Sequence, residues 1–182
     1  MTAEQIRDSA LYLSGLLVER MGGPSVKPYQ PAGLWEEVAM TQSNTRMFKR
    51  DDGEALYRRS LYTYWKRASP PPSLMTMDAP TREFCTIRRS ITNTPLQALV
   101  LWNDEQMVEA ARVLAARTLS EGGETTDDTT RMGRLVRRCI SREFRREELA
   151  GLVSTLADFR KRYEAAPADA EKLLRAGVSP VP

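Results

Sequence analysis

The sequence predicts a mainly helical fold, in which four or five helices carry a long irregular segment packed on them. Near both ends of the chain, apolar residues recur every three or four positions, which is the spacing of one helix face. In the middle, seven of the eleven prolines lie between Pro24 and Pro80. A long helix cannot form there, because proline lacks the backbone donor that a helix needs. We therefore expect one helical domain over residues 1–182, with 22–93 as an irregular packed segment.

The first helix has a clear start in the sequence. Thr2 and Gln5 have the spacing of a capping box, in which each side chain accepts a hydrogen bond from the other residue's amide. Apolar residues then recur along one face as far as Met21. The pair Gly22-Gly23 predicts the end of this helix, because glycine readily adopts the left-handed conformation found at helix ends.

The middle segment is expected to contain little regular structure. A short helix is predicted at 34–40. Residues 56–67 are predicted to form a short strand or an extended piece, although their apolar residues also fit one helix face. Most of the aromatic residues that precede the second long helix lie in this segment. Because disordered segments are poor in aromatic residues, we expect the segment to be packed.

The later helices are predicted from their capping residues and apolar stripes. Thr94, Pro95 and Gln97 predict a helix start, and Asp104 is placed to break that helix and cap a new one. Periodic apolar residues then predict three further helices, which begin near Thr129, at Arg146 and near Ala168. The helix from Arg146 is expected to end at Ala165.

The chain contains no histidine, and 41% hydrophobic and 28% charged residues are typical of a globular protein. The absence of histidine excludes Ser-His-Asp and Cys-His triads and histidine-rich zinc sites. Cys85 and Cys139 lie outside any metal-binding or haem-attachment pattern, so we expect two buried apolar side chains. No cofactor and no metal site are expected in this chain, and no apolar stretch is long enough to span a bilayer.

Positive charge and aromatic rings are concentrated in the middle of the chain. Between Arg46 and Asn93, ten Lys or Arg residues stand against five Asp or Glu, a local charge of +5 within a net charge of +3. The rest of the chain therefore sums to −2. Arginine binds carboxylate, sulfate or phosphate through paired hydrogen bonds, and aromatic faces support sugar rings or bases. The predicted ligand-binding residues are Arg58, Arg59, Tyr62, Trp65, Arg82, Arg88, Arg89 and Asn93.

Two interpretations of this basic and aromatic block remain open. In the first, the block binds an anionic ligand such as a charged glycan, or single-stranded nucleic acid. In the second, it is structural, because a loop-rich region leaves many backbone carbonyls unpaired and arginines commonly bind them.

Asp78 and Glu83 are weak candidates for a catalytic pair. Two carboxylates that flank a glycosidic bond are sufficient for sugar hydrolysis. The flanking arginines would lower both pKa values, however, and a general acid at neutral pH needs the opposite shift. Cys85 is a candidate nucleophile, but no histidine can serve as its base. We therefore expect a non-catalytic protein, with a carbohydrate hydrolase and a nucleic-acid-binding module as alternatives.

Three stretches of the sequence carry a resemblance to a known family. They are GGPSVKPYQPAGLWEE, LYRRSLYTYWKR and PPPSLMTMDAPTREFCTIRRSITNTPLQALVLWND. They closely resemble the C-terminal domain of unknown function in large planctomycete cytochrome-c-type proteins. The resemblance covers roughly residues 5–175.

The resemblance implies a cellular location and a multidomain parent protein, but it does not imply a reaction. Members of that family are generally exported multidomain proteins with a c-type haem in another domain, which implies a periplasmic or cell-surface location. The chain itself has no haem-attachment motif and no signal peptide, so it resembles a fragment of such a protein. Its expected role is a binding or scaffold module. Its expected partners are other domains of the parent protein, an anionic glycan or a second copy of the chain.

Overall fold

The computed structural model describes residues 1–122 and 126–181, and it confirms the mainly helical fold. The described residues form eight α-helices, more than the predicted four or five, because two short ones lie in the middle segment and the second long helix is divided at Asp104. The α-helices are α1 (Ala3–Ser14), α2 (Leu34–Val38), α3 (Pro72–Thr76), α4 (Pro95–Asn103), α5 (Glu105–Gly122), α6 (Asp128–Ile140), α7 (Arg146–Ala165) and α8 (Pro167–Leu174). Each described helix is too short or too polar to span a bilayer.

Helix α1 begins as predicted and ends earlier. The amide of Thr2 donates to Oε1 of Gln5 at 2.8 Å, and the amide of Gln5 donates to the Thr2 hydroxyl at 3.3 Å. The capping box is therefore complete. The predicted continuation to Met21 is wrong, since α1 ends at Ser14 and Gly15 follows with φ of 85°. Glycine adopts this conformation without strain, so the chain turns there.

The capping residues between α4 and α5 are those that the sequence predicts. Oγ1 of Thr94 accepts from the amide of Gln97 at 3.3 Å, and Oε1 of Gln97 accepts from the amide of Thr94 at 3.2 Å. Asp104 separates the two helices, and its Oδ1 accepts from the amides of Gln106 and Met107 at 3.0 and 3.2 Å. Side chains close in sequence therefore fix this boundary.

Helices α6 and α7 also begin close to their predicted positions. Oδ1 of Asp127 accepts from the amide of Thr130 at 3.0 Å and caps α6, which begins at Asp128, one residue before the predicted start. Helix α7 has the predicted bounds, and its half-buried residues follow the predicted apolar stripe, with Phe159 exposed. Helix α7 packs against α6. Pairing of two amphipathic faces is what stabilises helices of this kind.

Residues 56–67 differ from the predicted short strand or extended piece. They are built around two 3₁₀ turns, Gly53–Tyr57 and Ser60–Tyr62. Single extended residues beside the turns pair with the segment after α1, as in the parallel bridge of Thr63 with Val26. Leu56 and Tyr57 of the first turn are buried, whereas Leu61 of the second turn is exposed. The alternation of apolar residues therefore belongs to tight turns and not to a strand in a sheet.

The chain forms two compact units. The first comprises Met1–Tyr12 and Leu16–Met107, and the second comprises Leu13–Gly15 with the described residues from Val108 onward. The expectation of one domain over 1–182 stays a prediction.

Two apolar clusters form the core of the first unit. One cluster is Ala3, Leu74, Met77 and Ala79, and the other is Leu11, Leu56 and Tyr57. Helix α1 contributes to both clusters, so it connects α3 to the 3₁₀ turns. Much of the proline-rich segment is accordingly packed, in agreement with its aromatic content.

Trp35 on α2 anchors a third packed region of the first unit. Its side chain is buried, and its ring lies 5.1 Å from that of Phe48 and 5.6 Å from that of Tyr64 between centroids. The ammonium groups of Lys66 and Lys27 lie 4.6 and 5.9 Å from the indole centroid, which is within cation–π range. These contacts hold a segment that has little regular backbone pairing.

A buried arginine on α1 organises the first unit. The guanidinium of Arg7 donates to the carbonyls of Leu56 and Arg58, both at 2.9 Å, and to the Ser60 hydroxyl at 3.1 Å. Its Nε donates to Oε1 of Gln106 at 2.6 Å. Burial lowers the pKa of Arg7 to about 10, and the nearby carboxylates oppose this shift, so the side chain stays charged at neutral pH.

Both cysteines are exposed, so the prediction that they are buried is wrong. Cys139 lies in the last turn of α6, three residues beyond the buried Val136. The next residue, Ile140, is exposed as well. The last turn of α6 therefore extends beyond the packed part of the helix, although Cys139 and Ile140 continue the apolar spacing of the residues before them.

Replacing Arg7 with Met should destabilise the protein by about 3 kcal/mol, because the buried carbonyl of Arg58 and Oε1 of Gln106 would lose their donor, while the carbonyl of Leu56 would keep only Nε2 of Gln106. The control is Arg59→Met, which removes an exposed guanidinium that lies 3.8 Å from Asp8. We expect that change to cost less than about 0.5 kcal/mol. Urea unfolding followed by circular dichroism measures both values. Equal losses in the two variants would contradict the role given to Arg7.

Candidate functional site

The predicted ligand-binding residue Arg58 is buried and binds backbone. Its side chain donates to the carbonyls of Arg20 at 2.9 Å and Pro24 at 3.1 Å, and to that of Gly22. Its guanidinium carbon lies 3.8 Å from the centroid of the Tyr62 ring. Arg58 is therefore a structural clamp on the chain after α1, as in the second interpretation of the basic block.

Tyr62 and Arg59 also serve local structure. The hydroxyl of Tyr62 accepts a hydrogen bond from the amide of Gly22 at 2.8 Å, while its ring lies against Arg58. Arg59 is more exposed, and its Nε lies 3.8 Å from the carboxylate of Asp8. That carboxylate also accepts from the amide and hydroxyl of Ser60, at 2.8 and 2.7 Å.

Trp65 and Arg82 lie together at the start of an exposed loop. Nε1 of Trp65 donates to the carbonyl of Thr81 at 3.0 Å. The guanidinium carbon of Arg82 lies 4.2 Å from the indole centroid, and the backbone of Arg82 is left-handed, with φ of 65°. The stacked pair holds the chain at the point where it leaves the core.

Asp78 closes the other end of the same loop. Its carboxylate accepts from the amide of Thr92 at 2.7 Å, from the Thr92 hydroxyl at 2.8 Å and from Nε2 of Gln97 at 3.2 Å. These hydrogen bonds, first that of the Thr92 amide, hold the pKa of Asp78 below its usual 3.8. The carboxylate thus joins two positions that are fourteen residues apart. We call residues 79–91 the tied loop.

A third contact holds the tied loop to α1. The guanidinium of Arg89 forms an ion pair with Glu4, with 2.7 Å between Nη1 and Oε2. Arg89, Asp78 and Gln97 line a cleft of about 210 Å³ between the tied loop and the start of α1. Each of these polar side chains is already bonded within the protein, so the cleft has few free groups for a ligand.

The tip of the tied loop presents large apolar side chains to solvent. Phe84 is 71% exposed, Ile87 is fully exposed and Ile91 is 83% exposed. Arg88 is exposed between them, and it makes no ion pair with any residue that the structure describes. Asn93, the last predicted ligand-binding residue, is exposed where the loop joins α4.

Helix α4 extends the exposed apolar area. It has no buried residue, and Leu96, Leu99 and Trp102 are all more than half exposed. We call the tied loop together with α4 the docking surface. A monomeric protein rarely exposes so many large apolar side chains in one stretch, and such stretches commonly mark interaction sites.

The geometry gives little support to catalysis by Asp78 and Glu83. Both oxygens of Asp78 accept hydrogen bonds and its pKa is lowered, so it carries no proton to donate at neutral pH. Glu83 is exposed, 3.9 Å from Nε of Arg67. Among the residues that the structure describes, no three His, Cys, Asp or Glu side chains cluster as a metal site.

The charge pattern of the sequence predicts the arginines of this region as binding residues, but it does not predict the exposed apolar residues beside them. Phe84, Ile87 and Ile91 lie between charged and polar residues, without the spacing of a helix or a strand. That lack of periodicity was the one sign in the sequence that these side chains are exposed. Apolar residues outside a helix or strand pattern do not belong to a face that packs on the core. The roles of Arg7 and Asp8 were also missed, since long-range contacts define both.

The hydrogen bonds by which Asp78 holds Thr92 at the end of the tied loop should depend on pH. Its pKa is lower in the folded protein, so its contribution is present above about pH 4 and is lost as the pH falls through the folded pKa. We expect the protection of the Thr92 amide from hydrogen exchange to be constant near neutral pH and to fall below about pH 4. The variant Asp78→Asn should have weaker protection of Thr92, without this transition. The control for the substitution is the Thr130 amide, which Asp127 holds and whose protection should be the same in Asp78→Asn and in the wild-type chain at each pH.

The two thiols should react without denaturant, and at different rates. Cys85 and Cys139 are both exposed, but partial burial raises the pKa of Cys139, with Arg138 opposing the shift. Because the thiolate is the reactive form, a disulfide reagent should modify Cys139 more slowly. Cys139→Ser should remove the slow phase, and Cys85→Ser the fast one. A thiol that reacts only after unfolding would contradict this exposure.

Comparison with known proteins identifies a family without an assigned activity. Residues 1–156 match the family model described as PSD1, protein of unknown function (DUF1553). The match includes the tied loop and α4. No curated protein and no solved structure matches the chain. The chain therefore belongs to the PSD1 family, whose function is unknown.

Proposed function

We propose that the chain is a non-catalytic binding module that holds a protein partner through the docking surface. One observation carries this proposal: large apolar side chains are exposed on a loop that Asp78 and the pair of Trp65 and Arg82 hold in place. A flexible loop would lose conformational entropy on binding, whereas a tied loop has lost much of it already.

The side chains of the docking surface favour a protein over a glycan. Of the predicted arginines, Arg58 is buried and Arg89 is paired with Glu4. Arg82 and Arg88 are the arginines of the tied loop that form no ion pair with a described residue, and they lie among aromatic and aliphatic residues. Two cations are few for nucleic acid, whose affinity depends on many phosphate contacts. Apolar residues with flanking arginine are the usual composition of a protein interface.

The partner that we propose is a second copy of the chain. Residues 46–93 carry a local charge of +5, and the rest of the chain sums to −2, so a basic loop complements a different region of another copy. Such a contact is head-to-tail, since two identical basic loops would repel each other. Burial of the isoleucines would supply most of the attraction.

We propose an exported multidomain protein as the setting. The resemblance to planctomycete cytochrome-c-type proteins supports a periplasmic or cell-surface location and a haem carried by another domain. Other domains of that protein are then further partners for the docking surface. Within the chain itself, nothing in this proposal needs a cofactor.

Sedimentation at increasing protein concentration tests the proposal. We expect the average mass of the wild-type chain to rise with concentration, and the rise to be lost in Ile87→Asp, because a charge at the tip cannot be buried without a partner. Met47→Asp is the matched control, since Met47 is 67% exposed and lies outside the docking surface. A wild-type chain that stays monomeric throughout, or equal effects of both variants, would contradict self-association.

A fluorescent dye on Cys85 distinguishes a protein partner from a glycan or a nucleic acid. With Cys139→Ser, an environment-sensitive fluorophore can be attached at the tied loop alone. We expect its emission to change on addition of unlabelled chain, and to stay constant with sulfated or carboxylated oligosaccharides and with single-stranded oligonucleotides. A saturable response to the sugars would instead assign the surface to an anionic glycan. A response to oligonucleotides that weakens with salt would assign it to nucleic acid.

A further inference from the structure

In the second unit, a buried glutamate on α5 binds the backbone of residues 177–180. Glu109 is fully buried, and its Oε1 accepts from the amides of Val178 at 2.8 Å and Ser179 at 2.7 Å. Two consecutive amides thus converge on one carboxylate oxygen. Charge-assisted hydrogen bonds of this kind are stronger than neutral ones.

An arginine one turn along α5 binds the next groups of the same segment. Arg112 donates to the carbonyls of Ser179 and Pro180, both at 2.8 Å, and to the Ser179 hydroxyl. Because positions three apart lie on one helix face, Glu109 and Arg112 form a continuous site. Together they bind two backbone donors and then two backbone acceptors along one bent segment.

The contacts define which sequence can occupy this site. Gly177 has φ of 82°, and a methyl group on its α-carbon would overlap the carboxyl group of Glu109, so glycine is required there for two independent reasons. Val178 is 45% exposed, and its backbone amide makes the hydrogen bond to Glu109. Ser179 contributes a hydroxyl to Arg112, and Pro180 contributes a carbonyl. The sequence that fits is Gly-x-Ser-Pro.

We propose that Glu109 and Arg112 form a binding site for bent peptide segments of the type Gly-x-Ser-Pro, which residues 177–180 occupy in cis. The contacts are made to backbone groups and one hydroxyl, and none of them requires a covalent link between the segment and α5. The same segment on another chain therefore fits once the residues in cis are displaced. This site lies outside the docking surface, and it does not depend on the function proposed above.

The full-length variant Gly177→Ala provides the test, because the added methyl group displaces the segment held in cis. The probe is a fluorescent peptide of residues 174–181 from the natural sequence, and the measurement is fluorescence anisotropy. We expect saturable binding to Gly177→Ala and at least about tenfold weaker binding to the wild-type chain, whose own segment competes. A peptide with alanine in place of its glycine should not bind.

Further variants distinguish the site from nonspecific binding. Adding Glu109→Gln to Gly177→Ala should weaken peptide binding at least about tenfold, since the carboxylate charge is lost. Adding Lys172→Ala, an exposed change on α8, should leave binding unchanged. Circular dichroism and the melting temperature report whether each variant is folded.

The wild-type chain gives a second measurement in case Gly177→Ala fails to fold. Excess peptide should accelerate hydrogen exchange at the Val178 and Ser179 amides, because it displaces the segment held in cis, whereas the alanine-substituted peptide should not. The proposal is overturned if these amides exchange at unfolded rates without peptide or are unaffected by it. It is also overturned if a folded Gly177→Ala variant binds both peptides equally or neither.

Discussion

The structure of the first unit depends on buried guanidinium groups that bind backbone carbonyls. Arg7 bonds to the carbonyls of Leu56 and Arg58, and Arg58 in turn bonds to three carbonyls after α1. A segment with seven prolines cannot satisfy its own backbone by helix or sheet hydrogen bonds. The arginines supply the missing donors, and the apolar clusters of α1 exclude water around them.

Carboxylates perform the complementary task for backbone amides. Asp78 accepts from Thr92 and closes the tied loop, Asp8 accepts from Ser60, and Glu109 accepts from two consecutive amides in the second unit. At each of these irregular positions, a charged side chain therefore takes the place of regular backbone pairing. This use accounts for many charged residues in a protein that has no histidine, and it requires no proton transfer.

The same arrangement explains why the docking surface is exposed. The tied loop is held by its ends and by Arg89, and none of these contacts covers its tip. Its apolar residues thus remain in solvent at a hydrophobic cost that a binding partner would remove.

The sequence by itself determined what is local. The mainly helical class, the capping boxes at Thr2 and Thr94, the break at Asp104 and the bounds of α7 all depend on residues within one or two turns of each other. The sequence was sufficient to locate the region rich in arginine and aromatic residues. It could not distinguish Arg58, which is buried, from Arg88, which is exposed. The early end of α1, the turns in 56–67 and the exposure of Cys139 were decided by the tertiary structure. Each of these features depends on which distant segment of the chain packs against the residue. The spacing of apolar residues in the sequence does not identify that segment.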